Sequence, residues 1–302
     1  MLGGATNGTC THWFSIVSRR FYNVEAAAAL LNKFRGGVVC SSRFGDDESV
    51  ALITIDHPEV KNAFTGSMIV QFRECLNDIA SRTDGMSALV IRGANGNFSS
   101  GADLGFIKMI ANYQHGKLFS RYMYDAMRMM SNLPVPVIAI LEQNTLGGAA
   151  ELASAADIRI AHEKARLGFV HSRVGLSTGF GGSHFLYKMV GRSKALEILA
   201  TGSLLNAQQM LEASFLVPPG APWAPCGYVN HIFSSEEQIA AYIKRYSANS
   251  PEVVSAAKQN ILSAMSEMPE WNPEEPVFLS LWGHAKHRTA IGLSGLKGVD
   301  AK

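Results

Sequence analysis

Apolar and polar positions follow two rhythms along this chain. Met68, Ile69, Phe72, Leu76 and Ile79 recur at helical spacing and predict a helix from Met68 to Ile79. Val50 to Ile55 (VALITI) predicts a strand, stopped by Asp56-His57-Pro58, where proline breaks the ladder. Ala88 to Ile91 and Pro136 to Leu141 (PVIAIL) predict two further strands. Upstream, Val24 to Phe34 predicts a helix, favoured by its run of alanines and ended before Gly36-Gly37. Each strand leads through a polar or glycine-rich loop into a helix, with Tyr113 to Ser131 and the small-residue stretch Gly148 to Ala156 as later examples. That alternation implies an α/β fold with helices packed on a sheet.

Pro218 to Gly227 (PPGAPWAPCG) holds too much proline and glycine for regular structure. Beyond it the pattern predicts helices at Glu236 to Ala248, Pro251 to Met265 and about Glu274 to Arg288, the second opened by a proline at its first turn. No internal repeat is visible. The expected organisation is a leader and helix over 1–47, an α/β core over 48–227 and a mainly helical C-terminal region over 228–302.

Composition narrows the classes. With 302 residues, 47% hydrophobic and 17% charged, the chain is globular and long enough to bury a core. A net charge of +2 with scattered basic residues gives no nucleic-acid track. Cys10, Cys40, Cys75 and Cys226 form no CxxC pair, so neither a zinc site nor a disulfide framework is expected. No apolar stretch reaches the roughly 18 residues that cross a bilayer, and no membrane partner is expected. The first acidic residue is Glu25, preceded by Arg19-Arg20; an unstructured cytosolic leader and a mitochondrial presequence both fit, and the cytosol is the expected compartment.

Three segments carry the candidate chemistry: Lys61-Asn62-Ala63-Phe64 after the first strand, Phe98-Ser99-Ser100-Gly101-Ala102-Asp103-Leu104 after a glycine-rich loop, and Leu146-Gly147-Gly148-Ala149-Ala150-Glu151 before Ala156-Asp157. Small residues that open a helix leave backbone N–H groups uncovered, and two such groups from separate loops suit an oxygen that gains negative charge. Taken singly, Gly147-Gly148 also fits close helix packing, Lys61 an ordinary surface lysine and Asp103 a helix-start residue favoured by the dipole.

In order and spacing, these motifs resemble the crotonase superfamily over roughly residues 48 to 290. The resemblance implies a spiral of ββα units with a C-terminal helical layer used in trimer formation, and an acyl-CoA thioester as substrate. It implies that the N–H groups of Ala102 and Gly148 form an oxyanion hole and that Glu151 is the first catalytic carboxylate. Lys61 and Ala63 fall where the family contacts CoA; Asp103, Leu104 and Phe169 fall among its substrate-binding positions. Two family glycines are replaced, by Gln143 and Ala149. Where hydratases carry a second glutamate, this chain has His171, in Gly168-Phe169-Val170-His171. Hydration uses two carboxylates on one water, so a single one disfavours it. Phe-Val-His with Gly175-Leu176-Ser177-Thr178-Gly179-Phe180-Gly181-Gly182 after it, and Leu281-Trp282-Gly283 near the end, resemble the branch of the family that decarboxylates 2-carboxyacyl-CoA thioesters such as ethylmalonyl-CoA or methylmalonyl-CoA.

The mechanism so implied is loss of CO2 to an enolate held by Ala102 and Gly148, with a protonated Glu151 or His171 meeting the substrate carboxylate or returning a proton. No metal-ligand spacing and no GxGxxG after a strand is present, so no cofactor is expected beyond the CoA of the substrate. An enoyl-CoA hydratase or isomerase, and a weakly catalytic binding protein of the same fold, are the competing expectations. A homotrimer or dimer of trimers is expected from the resemblance and from the apolar C-terminal residues around Leu279 to Ile291.

Overall fold

The computed structural model describes residues 23–213, 227–264 and 275–293. The 1–22 leader and the proline-rich 218–226 stretch lie outside them. Nine strands are present among the described residues: β1 (Val38–Phe44), β2 (Asp47–Asp56), β3 (Ala88–Gly93), β4 (Val137–Leu141), β5 (Asn144–Leu146), β6 (Ile158–His162), β7 (Arg166–Gly168), β8 (Leu204–Asn206) and β9 (His231–Phe233). A six-stranded sheet runs β1-β2-β3-β4-β6-β9, and a three-stranded sheet runs β5-β7-β8. Only β1 is antiparallel to its neighbour in the large sheet; every other pairing there is parallel.

The parallel centre explains its own sequence. All five residues of β4 (VIAIL) are buried because helices cover both faces of the sheet, which selects a continuous apolar run instead of alternation. On one face, Ile53, Ile55, Leu89, Ile91 and Ala139 meet the helices Gly66–Ala80, Tyr113–Ser131 and Gly148–Ala155. On the other, Val50, Val90, Ile138, Ile140 and Ile160 pack under Ile239 and Ile243 of helix Glu236–Ser247. Arg92 on β3 bridges both layers, pairing with Glu142 after β4 and with Glu236.

Several features depart from the pattern-based expectation, among them strands β5 to β8 and helix Gly182–Thr201, which the pattern did not predict. Strand β1 precedes the first predicted one, joined to β2 by a two-residue turn at Gly45-Asp46. It is an edge strand in which only Val39 is buried, so VVCSSRF shows no apolar alternation. The last predicted helix is two, Glu275–Leu281 and Ala285–Ala290, separated at Gly283, whose φ is +77°. The C-terminal apolar residues turn inward. Phe278, Leu279, Trp282 and Ile291 are all buried within the chain. Trp282 lies against Phe119 and Phe278 and donates its indole N–H to the Ile110 carbonyl at 3.1 Å. They cap the chain's own core, and so do not supply the intermolecular face anticipated for them.

Candidate active site

The three motifs lie side by side because short bridges stitch them together. Ser99 pairs with Thr145 and Phe64 with Ala102 as isolated parallel bridges. The Ser99 N–H donates to the Asn144 carbonyl, and the Leu146 N–H donates back to Ser99. On the other side, Phe64 N–H donates to Gly101 and Asp103 N–H to Phe64. Asn62 locks this arrangement. It is fully buried with φ +58°, a conformation asparagine tolerates, accepts from the His57 N–H at 2.8 Å and donates to the carbonyls of Ala94 and Asn97. Sequence reading passed over Asn62, although its place in Lys-Asn-Ala between a strand and a helix was the available signal.

Gly101 takes φ +100°, and a Cβ there would stand 2.8 Å from the Leu146 carbonyl oxygen and 3.8 Å from the Gly148 nitrogen. Only glycine permits that approach, and it sets Ala102 beside the start of helix Gly148–Ala155. The N-cap of this helix is Gly147, which offers no side-chain acceptor. The bridge hydrogen bonds turn Phe64 toward Gly101 and Asp103, and use neither the Ala102 nor the Gly148 N–H. Both remain as donors in half-buried positions. From beneath, Tyr228 holds the helix: its hydroxyl meets Ser154 Oγ at 3.0 Å and donates to the Ala150 carbonyl, and burial pushes its pKa up to about 12. At Gln143, where the family has glycine, φ is +39°: the loop keeps the glycine conformation in a residue that carries a Cβ.

Glu151, one turn into the same helix, is 1% exposed. Its Oε2 accepts N–H groups from Phe180 at 2.9 Å, Gly182 at 3.0 Å and Gly179 at 3.2 Å. Its Oε1 lies 3.0 Å from His171 Nε2. Gly181, the N-cap of helix Gly182–Thr201, has no capping side chain, so Glu151 acts as the cap of a second helix. The contact is close: a Cβ on Gly182 would stand 2.4 Å from Glu151 Cγ. The three backbone N–H groups can only donate, while His171 Nε2 donates or accepts according to its tautomer. A Glu151 side chain free to turn to a substrate was expected; here both oxygens already have partners within the chain.

His171 sits in the turn Val170–Val174 that follows β7. The Gly147 N–H donates to the Gly168 carbonyl at 2.8 Å, which holds this turn beside helix Gly148–Ala155. The His171 side chain is 12% exposed, and its Nδ1 is buried with no partner among the described residues. Phe169 is fully buried, its ring 6.4 Å from the imidazole, so it backs the histidine. The Phe180 ring covers Gly148, reaching within 2.8 Å of where a Cβ would stand, and packs on Phe278 of the C-terminal cap.

The remaining expected residues differ in exposure. Lys61 is exposed with φ +55°; Ala63 is buried, and its carbonyl is 3.0 Å from His57 Nδ1. Asp103 caps helix Leu104–Ile110 by accepting the Phe106 N–H at 2.8 Å, and Leu104 beside it is 60% exposed. A cleft of about 550 Å³, lined by Gly96, Glu142, Gln143, Asn144, His162, Lys164 and Arg166, includes none of Lys61, Ala63, Ala102, Asp103, Leu104, Gly148, Glu151, Phe169 and His171. Among the described residues, no cluster of His, Cys, Asp or Glu suits a metal ion, and no helix is long and apolar enough to cross a membrane.

Residues 45–218 match the family model described as enoyl-CoA hydratase/isomerase. The chain is 30% identical over 277 residues to a protein from Xenopus laevis named ethylmalonyl-CoA decarboxylase, covering 89% of this chain and 87% of that one. It is 31% identical over 276 residues to one of the same name from Xenopus tropicalis, covering 91% and 89%. Among solved structures, an enoyl-CoA hydratase from Thermoplasma volcanium superposes with a TM-score of 0.66 at 26% identity, over 81% of this chain and 90% of that one. The fold is the crotonase fold.

Proposed function

Because the chain belongs to the enoyl-CoA hydratase/isomerase family, we propose that it decarboxylates a 2-carboxyacyl-CoA of the ethylmalonyl-CoA or methylmalonyl-CoA class. The observation that carries this is the engagement of Glu151. Both of its oxygens are held by the N–H groups of Gly179, Phe180 and Gly182 and by His171. Hydration needs two carboxylates to handle one water. Here one position is a histidine and the other carboxylate is occupied, whereas decarboxylation needs neither as a base. The names of the Xenopus relatives support the same reading.

In this mechanism the thioester oxygen faces the N–H groups of Ala102 and Gly148. The bond from the α carbon to the carboxylate breaks, its electron pair moves onto the thioester oxygen as an enolate, and CO2 leaves. One proton then returns to the α carbon, giving the acyl-CoA. Each oxyanion donor of this kind is worth about 2.7–4 kcal/mol of barrier. The half-buried Val170 and Leu176 beside His171 give the leaving carboxylate apolar neighbours, which favours neutral CO2. The thioester is itself the electron sink, so the proposal includes no metal and no redox cofactor.

Purified protein assayed in parallel against ethylmalonyl-CoA, methylmalonyl-CoA and crotonyl-CoA tests the proposal. Loss of CO2 from the first two supports it. Conversion of crotonyl-CoA to the 3-hydroxyacyl-CoA without decarboxylation of the others would establish a hydratase instead. The proposal extends to a trimer or dimer of trimers. Exposed Val253 and Ile261, on one face of helix Pro251–Ala264, offer apolar contact surface for it. Light scattering that gives a monomer at micromolar concentration removes the assembly without touching the chemistry.

A further inference from the structure

We propose that His171, through Nδ1, is the residue that passes a proton to and from the substrate's α carbon, and that Glu151 is a positioning residue. The inference rests on the enolate chemistry above, but not on decarboxylation itself. Glu151 cannot meet a substrate without leaving its partners: Oε2 is shared among three backbone N–H groups, and Oε1 takes the imidazole. Three backbone N–H groups already meet the carboxylate, and in this proposal the proton between the two side chains is accordingly assigned to Nε2 of His171. That fixes the tautomer and leaves Nδ1 as the free position, in the way a buried carboxylate orients a catalytic imidazole elsewhere.

The location agrees. Nδ1 is buried without a partner, on a side chain that retains 12% exposure. Buried polar atoms are nearly always satisfied, so an open one beside a candidate site calls for an explanation, of which a catalytic role is one. The turn carrying His171 is tied to the first residues of the oxyanion helix through Gly147 and Gly168, and Val170 lies 3.9 Å from a Cβ position on Gly147. The turn that carries the imidazole is thereby held against the first residues of that helix. In the forward direction the imidazolium gives its Nδ1 proton to the enolate α carbon. The neutral ring keeps its Nε2 proton on Glu151 and regains the other from water. With a simple acyl-CoA the neutral Nδ1 removes an α proton and returns one, with no net reaction.

That last property supplies the test. Full-length protein in D2O is given butyryl-CoA, and deuterium at the α carbon is followed by mass spectrometry. Wild type is expected to exchange. His171→Gln is expected to exchange about 100-fold more slowly or worse, the usual scale of general acid–base catalysis, while still binding butyryl-CoA. His171→Ala, measured with added imidazole, is expected to recover exchange, which a packing role would not produce. Glu151→Gln is expected to slow exchange while leaving a residual rate that His171→Gln removes. Exchange at the wild-type rate in His171→Gln, or none in wild type, overturns the assignment. Absence of CO2 release from ethylmalonyl-CoA alongside His171-dependent exchange would overturn the decarboxylase reading alone.

Discussion

Among the described residues, two α-helices begin with a glycine N-cap, and their N-termini are treated in opposite ways. Helix Gly182–Thr201 has its first donors filled from within the chain by the Glu151 carboxylate. Helix Gly148–Ala155 has no side-chain cap, and its Gly148 N–H sits beside that of Ala102 under the Phe180 ring. A helix start is a positive pole whichever residues make it. The difference is that one pole is capped from within the chain and the other is left open, where the proposed mechanism puts the thioester oxygen. The same side chain links them, since Glu151 grows from the open helix and closes the other.

Removing the open donor should have the largest effect. Gly148→Pro deletes the N–H at a first-turn position that proline can occupy. Gly148→Ala keeps the N–H and meets the same Phe180 ring. The proline variant should therefore have a kcat about 10²–10³-fold below the alanine variant. Equal rates in a steady-state assay would show that Gly148 is not an oxyanion donor.

Disturbing the closed pole should act on stability first. Glu151→Gln turns an acceptor into an N–H that faces donors from Gly179, Phe180, Gly182 or His171. The buried mismatch costs about 1–3 kcal/mol, and the melting temperature should fall by roughly 2–4 °C for each kcal/mol. Turnover should fall with it while acyl-CoA binding persists. An unchanged melting curve would mean that the carboxylate does not cap the second helix.

A smaller effect belongs to the cap over Phe180. His287 is fully buried, accepts the Gly283 N–H on Nδ1 and has Nε2 unpartnered. Burial, then the charge of Arg288, lower its pKa to about 4. The unfolded chain therefore takes up a proton that the folded chain refuses as pH falls from about 6.5 toward 4, and stability drops through that window. His287→Phe should flatten melting temperature against pH there. A variant that keeps the wild-type slope would assign the loss to other groups.

Much of this was legible in the sequence. Tyr113–Ser131 was read to the residue because its apolar stripe is long and periodic. The parallel strands were legible as apolar runs, and the three motifs as neighbours through their family resemblance. Edge strand β1 was not, because only Val39 of its residues is buried. Nor were the backbone partners of Glu151: they are N–H groups 28 to 31 residues downstream, and a backbone donor leaves no side-chain signature. Asn62 was visible as a letter, but its role depends on the carbonyls of Ala94 and Asn97, which only the folded loops bring within reach.

The central claim is that the thioester alone receives the electrons of the departing carboxylate, over the donors of Ala102 and Gly148. It is tested most directly by giving chelator-treated protein ethylmalonyl-CoA labelled at the free carboxylate and following labelled CO2 and butyryl-CoA together. Equal amounts of both, formed without any added metal or cofactor, are the predicted result. No release, or release that appears only when a divalent metal is restored, would contradict it.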